Sequence, residues 1–118
     1  MDDAIRAETI RMVGGGNDEI EAYFAAPLRP GPRGSVVVVH HLPGYDEETK
    51  EITRRFAVEG FEAICPNLYS REAPGLPVKE AAAQVRAAGG IPDDQVVADI
   101  AACAEHLRGR ENTNGKVG

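Results

Sequence analysis

The sequence predicts an α/β fold in which an antiparallel hairpin leads into a parallel βαβαβ sheet flanked by helices. Three observations predict it. Val36, Val37, Val38 and Val39 form an unalternating β-branched run, the pattern of a strand buried on both faces of a parallel sheet. A second apolar run, Phe61 to Cys65, follows after one helix-length segment, and strand, helix and strand in that order make a βαβ unit with a right-handed crossover. Upstream, Gly14-Gly15-Gly16-Asn17-Asp18 separates two stretches of strand character and supplies the positive-φ residues that a hairpin turn needs.

Composition bounds the functions such a fold can serve. A chain of 118 residues holds one small domain, since domains run to about 100–200 residues. Its formal net charge of −6 is the wrong sign for a nucleic-acid binder. The four-valine run is the longest apolar stretch, against the roughly 18 residues that span a bilayer. Met1-Asp2-Asp3-Ala4 has neither the basic nor the apolar part of a secretory signal. With 42% hydrophobic and 27% charged residues the chain can build a core. These features predict a soluble cytoplasmic protein with no nucleic-acid or membrane partner. Cys65 and Cys103 lack metal-type spacing and read as two reduced, buried thiols.

Each element follows from local chemistry. Residues 6–13 and 19–26 are the hairpin strands. Pro27 to Gly34, with three prolines and two glycines, is a loop. Ser35 to His40 is the first inner strand, stopped by Leu42-Pro43-Gly44. Asp46 caps a helix whose first turn places Glu47 and Glu48 against the dipole. Ile52 and Phe56 give that helix an apolar stripe, and Gly60 ends it. Phe61 to Cys65 is the second inner strand, stopped by Pro66. A long loop, Asn67 to Val78, leads to an alanine-rich helix over 79–88, closed by Gly89-Gly90. A further helix begins near Pro92, with a stripe of Val96, Ile100, Cys103 or Ala104, and Leu107. Asn114 to Gly118 turns into a third inner strand. That strand has barely begun where the chain stops, so residues 115–118 are expected to leave an apolar edge. The expectation is one domain over 1–118, the N-terminal part of a larger α/β domain that lacks its C-terminal half.

In open α/β sheets ligands gather at the carboxyl ends of the strands. Here those ends carry His40-His41 and Asn67-Leu68-Tyr69-Ser70-Arg71-Glu72. Adjacent strand residues point to opposite faces, so the two histidines are poor joint ligands for one metal. One of them, His41 by preference, would orient or exchange a proton with a reacting group, whereas a strand-end histidine can equally be satisfied by backbone hydrogen bonds. Arg71 could hold a carboxylate bidentately or lie solvated beside Glu72. His106, late in a helix, suits the dipole. No G-x-S-x-G or G-x-C-x-G occurs, so no nucleophile elbow and no complete triad can be built from these residues.

Taken in order, Val38-Val39-His40-His41-Leu42-Pro43-Gly44, Arg54 to Phe61, Pro66 to Gly75 and Asn114 to Gly118 resemble the dienelactone hydrolase family. The resemblance runs from about residue 8 to the last residue and covers about the first half of the family's domain. It implies the N-terminal part of an α/β-hydrolase fold that cleaves esters or lactones through a Cys-His-Asp triad, with no cofactor and no metal. The nucleophile is expected about five residues beyond Gly118, on a strained strand-to-helix turn. By the same resemblance the backbone N–H of Leu42 belongs to the oxyanion hole. Arg71 matches an arginine that holds a substrate carboxylate, and Tyr69 stands on the same substrate rim. His41 departs from the family, which has at that position a glutamate interacting with the catalytic cysteine. A histidine does not reproduce that charge and would instead hydrogen-bond the nucleophile or the substrate.

The expected function is therefore hydrolysis of a small-molecule ester or lactone, carboxylate-bearing if Arg71 keeps the family's role. These residues would supply the oxyanion hole and substrate rim but not the nucleophile, leaving the truncated chain inactive alone. The alternative is a non-catalytic α/β module whose open edge pairs with a second copy, a partner or a complementing chain. A metal site built from the three histidines ranks last.

Overall fold

In the computed structural model, which describes residues 4–41 and 44–118, five strands form one mixed sheet. The hairpin comprises β1 (Ile5–Val13) and β2 (Glu19–Pro27), joined by a short 3-10 turn at Gly15–Asn17. Gly16 and Asn17 take φ of 65° and 64° there, as the glycine-rich turn predicts. Next come β3 (Arg33–Val37), α1 (Glu47–Val58), β4 (Glu62–Pro66), α2 (Val78–Ala87), α3 (Asp93–Arg108) and β5 (Thr113–Val117). The strand order is β1-β2-β4-β3-β5. Strands β4, β3 and β5 run parallel, and β2 closes antiparallel on β4. The predicted hairpin and βαβαβ sheet are both present.

The first inner strand, expected over Ser35 to His40, begins two residues earlier and ends at Val37, leaving His40 outside it and Val39 52% exposed. Arg33 N–H donates to Asn112 O at 2.9 Å, so pairing with the segment entering β5 starts before any apolar residue. On the other side the ladder reaches Val38, whose N–H donates to Ile64 O at 2.8 Å. Strand β5 is a five-residue edge strand, longer than expected and not apolar. Its alternation turns Val117 toward the core while Asn114, Gly115 and Lys116 stay exposed.

Helices α1 and α3 cover opposite faces of the sheet. The larger core lies under α3, where Ile20, Phe24, Ile64, Cys103 and Leu107 are each at most 1% exposed. Burying aliphatic and aromatic side chains of this size contributes about 1.5–3 kcal/mol each. On the α1 side Val38, Tyr45, Cys65 and Phe56 pack together. The residues that α1 buries most deeply are Thr49, Thr53 and Ala57, whereas Ile52, expected in its stripe, is 48% exposed. The threonines can be buried because their hydroxyls are paired: Thr49 Oγ1 donates to Asp46 Oδ1 and Thr53 Oγ1 to Thr49 O, both at 2.9 Å. Asp46 caps α1 as predicted, accepting the Thr49 N–H at 2.9 Å.

A third cluster (Leu68, Tyr69, Ala73, Ala81, Ala82 and Val85) packs α2 against the loop after β4. At the amino ends of the parallel strands sits an ion triad around a buried glutamate. Glu62, 1% exposed, accepts from Arg33 Nη1 at 3.1 Å and from Arg110 Nε at 2.8 Å. Arg110 also lies over the Phe24 ring, 4.2 Å from its centroid. No helix among the described residues is long and apolar enough to cross a membrane.

Candidate functional site

At the carboxyl ends of β3 and β4 a cavity of about 300 Å³ opens between the His40-His41 segment and the loop after β4. Val39, His40, His41, Leu68, Tyr69 and Ile91 are among its walls, and none of the described residues that line it is an acid, a lysine or an arginine. The sheet geometry explains the convergence, because β3 and β4 are parallel neighbours whose following segments leave from one edge.

His40 is the strut of this rim. It is 6% exposed. Its Nε2 accepts the Leu68 N–H at 3.0 Å, and its Nδ1 lies 3.0 Å from His41 O. A ring nitrogen accepting from a peptide N–H carries no proton, so Nδ1–H is the donor and the ring is neutral. Burial, the largest influence, holds its pKa below the usual imidazole value. His40 thus takes the backbone-satisfied role and fastens the two loops together. Tyr69 packs edge-on against it, with ring centroids 4.9 Å apart. Gly44, at φ 120°, completes the fit: a Cβ there would lie 3.2 Å from Tyr69 Cε2.

His41 lines the same cavity but is exposed, and its Nε2 lies 3.3 Å from Asp46 Oδ2. The Thr49 N–H, first among the causes, lowers the Asp46 pKa, so at neutral pH this carboxylate is a ready acceptor for the His41 Nε2–H. Asp46 therefore serves both as the helix cap its sequence position predicts and as the partner of His41. His41, Asp46 and Glu48 also form the one metal-type donor grouping found among the described residues, with ligand atoms within 4.8 Å of one another. Asp46 Oδ1 is already engaged by Thr49. His106 stands elsewhere, beside Arg110 and Glu111, so the three histidines do not meet. Leu42, expected to supply an oxyanion-hole N–H, lies outside the described residues.

Arg71 is not among the residues lining the His41–Tyr69 cavity. It is neither solvated nor paired with Glu72, whose carboxylate accepts from Gln95 Nε2 at 3.2 Å. Arg71 instead makes a two-pronged ion pair with Asp99 of α3, Nη1 to Oδ2 at 2.7 Å and Nη2 to Oδ1 at 2.9 Å. Its Nε donates to Asp18 Oδ2 and its Nη2 to Gly15 O, each at 2.8 Å. Asp99, 1% exposed, also accepts the Gly15 N–H at 2.8 Å. The hairpin turn reaches α3 because it carries glycine: a Cβ on Gly14 would lie 2.7 Å from Asp99 Oδ1, and one on Gly15 2.5 Å from Ala98 Cβ. Sequence reasoning missed this junction. Its one signal was an acid, Asp99, within a helix face otherwise read as apolar.

Neither cysteine is a nucleophile. Cys65 and Cys103 are fully buried, and burial, the leading cause, pushes both thiols up to about 12. At neutral pH they stay protonated and serve as packing residues. Ser70 is engaged as well, accepting from Glu21 N–H at 3.1 Å and donating to Asn67 O at 2.7 Å.

A family model described as "Dienelactone hydrolase family" matches residues 20–118. The Escherichia coli (strain K12) protein named "Putative carboxymethylenebutenolidase" is 37% identical over 118 residues, which cover 97% of this chain and 41% of the relative. The crystal structure of "Putative Dienelactone Hydrolase from Klebsiella pneumoniae subsp. pneumoniae MGH 78578" has a TM-score of 0.78 at 28% identity, covering 97% of this chain and 48% of that one. "Brefeldin A esterase, a bacterial homologue of human hormone sensitive lipase" gives 0.61 at 15% identity over 96% of this chain and 30% of that one, a likeness of fold alone. The chain spans less than half the length of each of these three proteins.

Proposed function

This chain belongs to the dienelactone hydrolase family, and on that premise we propose that it forms the oxyanion-hole and substrate-rim half of an ester or lactone hydrolase. One observation carries the reading: the cavity without charged walls at the carboxyl ends of β3 and β4, framed by His41 on one side and Tyr69 on the other. That is where an α/β sheet holds its ligand, and an uncharged wall suits an acyl chain or lactone ring.

In this reading a cysteine outside these 118 residues supplies the nucleophile, since burial keeps Cys65 and Cys103 protonated. Its thiolate attacks the ester carbonyl carbon, and the negative charge moves to the carbonyl oxygen, which the Leu42 N–H stabilises. The C–O bond then breaks as the triad's histidine, likewise expected outside these residues, hands the leaving alcohol the proton it took from the thiol, and water hydrolyses the thioester to the acid and the free thiol. His41, its Nε2 facing Asp46, keeps Nδ1 available to hydrogen-bond the nucleophile or the substrate. Asp46 acts through His41 and is a positioning residue. The cytoplasmic location expected from the sequence belongs to the same proposal.

Intact mass and activity test the reading together. The mass of the protein as encoded tells whether the complementary half is present. If it is, p-nitrophenyl butyrate and a simple lactone should be hydrolysed and iodoacetamide should abolish turnover; absence of hydrolysis would overturn the reading. Isolated residues 1–118 should show no hydrolysis above a His41→Ala control, and turnover above that control would overturn the division of labour.

A further inference from the structure

The buried imidazole of the rim bears on the chemistry itself, resting on the hydrolase reading above. The N–H assigned there to the oxyanion hole, that of Leu42, belongs to the same peptide unit as the His41 carbonyl. A peptide unit is planar, and in the trans form that residues other than proline adopt, its N–H points away from its C=O. Whatever aims the His41 carbonyl therefore aims that N–H the opposite way.

Two donors hold the carbonyl, the Gly44 N–H and the His40 Nδ1–H, each at 3.0 Å from His41 O. The first is local to the turn. The second is anchored on a different strand, because His40 Nε2 accepts the Leu68 N–H at 3.0 Å. The ring has little freedom to swing: it is 6% exposed, with Tyr69 edge-on at 4.9 Å and Tyr45 at 6.3 Å between centroids. The His41 carbonyl is thus placed relative to the loop after β4, which supplies the facing wall of the cavity.

The order of donors matters as much as the position. Leu68 N–H donates to the imidazole and the imidazole donates to the carbonyl, and that peptide ends in the next N–H. Hydrogen bonds in such a series polarise one another, which strengthens the last donor as charge develops on a substrate carbonyl oxygen. No proton changes place, and the ring stays neutral throughout.

We propose that His40 is a positioning residue for the oxyanion hole: through the His41 carbonyl it fixes and polarises the peptide whose N–H stabilises the tetrahedral intermediate. The two neighbouring histidines then serve one reaction by different means, His41 through its side chain and His40 through the backbone.

Variants of the protein as encoded test this with p-nitrophenyl butyrate. His40→Leu keeps an apolar body but neither hydrogen bond. It should lower kcat by about tenfold to a hundredfold with KM within about twofold, the mark of an interaction made in the transition state. His40→Gln restores one donor and one acceptor in a planar amide and should recover kcat to within about threefold of wild type. Glu62→Gln, at the opposite end of the strands, should leave the kcat of folded molecules unchanged, which separates positioning from general loosening. A folded His40→Leu with full kcat, a loss confined to KM, or a His40→Gln no better than His40→Leu would overturn the proposal. The wild type decides independently of how the variants fold: ring nitrogen shifts should show Nδ1 protonated and Nε2 bare, and the opposite tautomer would overturn it. If the wild type does not hydrolyse the ester, the hydrolase reading fails. The His41 carbonyl carbon shift then decides the inference: it should move in His40→Leu and return in His40→Gln, and an unmoved shift would overturn it.

Discussion

Strands β3 and β4 are tied together at both ends, with opposite chemistry. At the amino ends the tie is charged: Glu62 bridges Arg33 and Arg110. At the carboxyl ends it is neutral: His40 links the Leu68 N–H to the His41 carbonyl. Each tie centres on a buried side chain, Glu62 or His40, but only the neutral one borders the cavity. An ion triad needs each charge compensated in place, so a cavity beside it would inherit a strong field. A neutral imidazole satisfies two backbone groups and adds no formal charge to the walls. The difference teaches that the fold places its electrostatic fastening away from the ligand end, and the Arg71–Asp99 pair repeats the lesson by closing its charge on itself.

The largest test breaks the charged tie. Glu62→Ala leaves Arg33, 8% exposed, without its carboxylate, and should cost about 3–5 kcal/mol. Urea unfolding followed by circular dichroism reads this as a lower midpoint, and a loss no larger than that of a surface substitution would refute the asymmetry. Asp99→Ala is next, about 2–3 kcal/mol, because it strips a charged partner from Arg71 and an acceptor from the Gly15 N–H. The same titration measures it, and Asp18→Ala is the mild control.

Breaking the neutral tie should have a smaller effect with a pH signature. His40→Ala should cost about 2 kcal/mol through two lost hydrogen bonds. In the wild type the unfolded chain protonates His40 near 6.5, while the folded chain resists to lower pH. The unfolded state therefore binds more protons, and stability falls as pH drops below 6.5 toward the depressed folded value. His106 is lowered by burial too, so the slope is best measured in a His106→Gln background, where adding His40→Ala should flatten it. An unchanged slope would mean that His40 is not the neutral strut described. The smallest effect is at the N-cap: Asp46→Ala should lower stability by about 1 kcal/mol, read as a small drop in Tm.

What was legible in the sequence was whatever depends on near neighbours. The hairpin glycines and the Asp46 cap each act within a few residues, and the structure shows both. The stops of the two inner strands were less legible: β3 ends at Val37, inside the valine run, and β4 runs through Pro66, past which the Asn67 N–H still donates to Glu21 O. The two histidines were legible as a pair but not in their division of labour, because burial of His40 beneath Tyr69 depends on a loop that follows a different strand. Charged partnerships were the least legible. Asp99 pairs with an arginine 28 positions away, and Glu62 is held by residues 29 and 48 positions away. Periodicity assigns a residue to a face and says nothing of what waits opposite. An acid inside an apolar strand or helix face does announce that a partner must exist, and both Glu62 and Asp99 carried that signal. The stripe of α1 was misread because threonine counts as polar until its hydroxyl finds an acceptor within its own helix.

The contact between Gly15 and Asp99 spans 84 positions, which sets an order of events during synthesis. Strands β1 and β2 are adjacent in sequence and can pair as soon as both have left the ribosome. Their turn has no anchor until α3 emerges, so the hairpin waits, paired but loose, until then. Closing so long a loop is an entropic step that comes late. The clamp should therefore be absent from the folding transition state, and its removal should speed unfolding while leaving the rate of folding almost untouched.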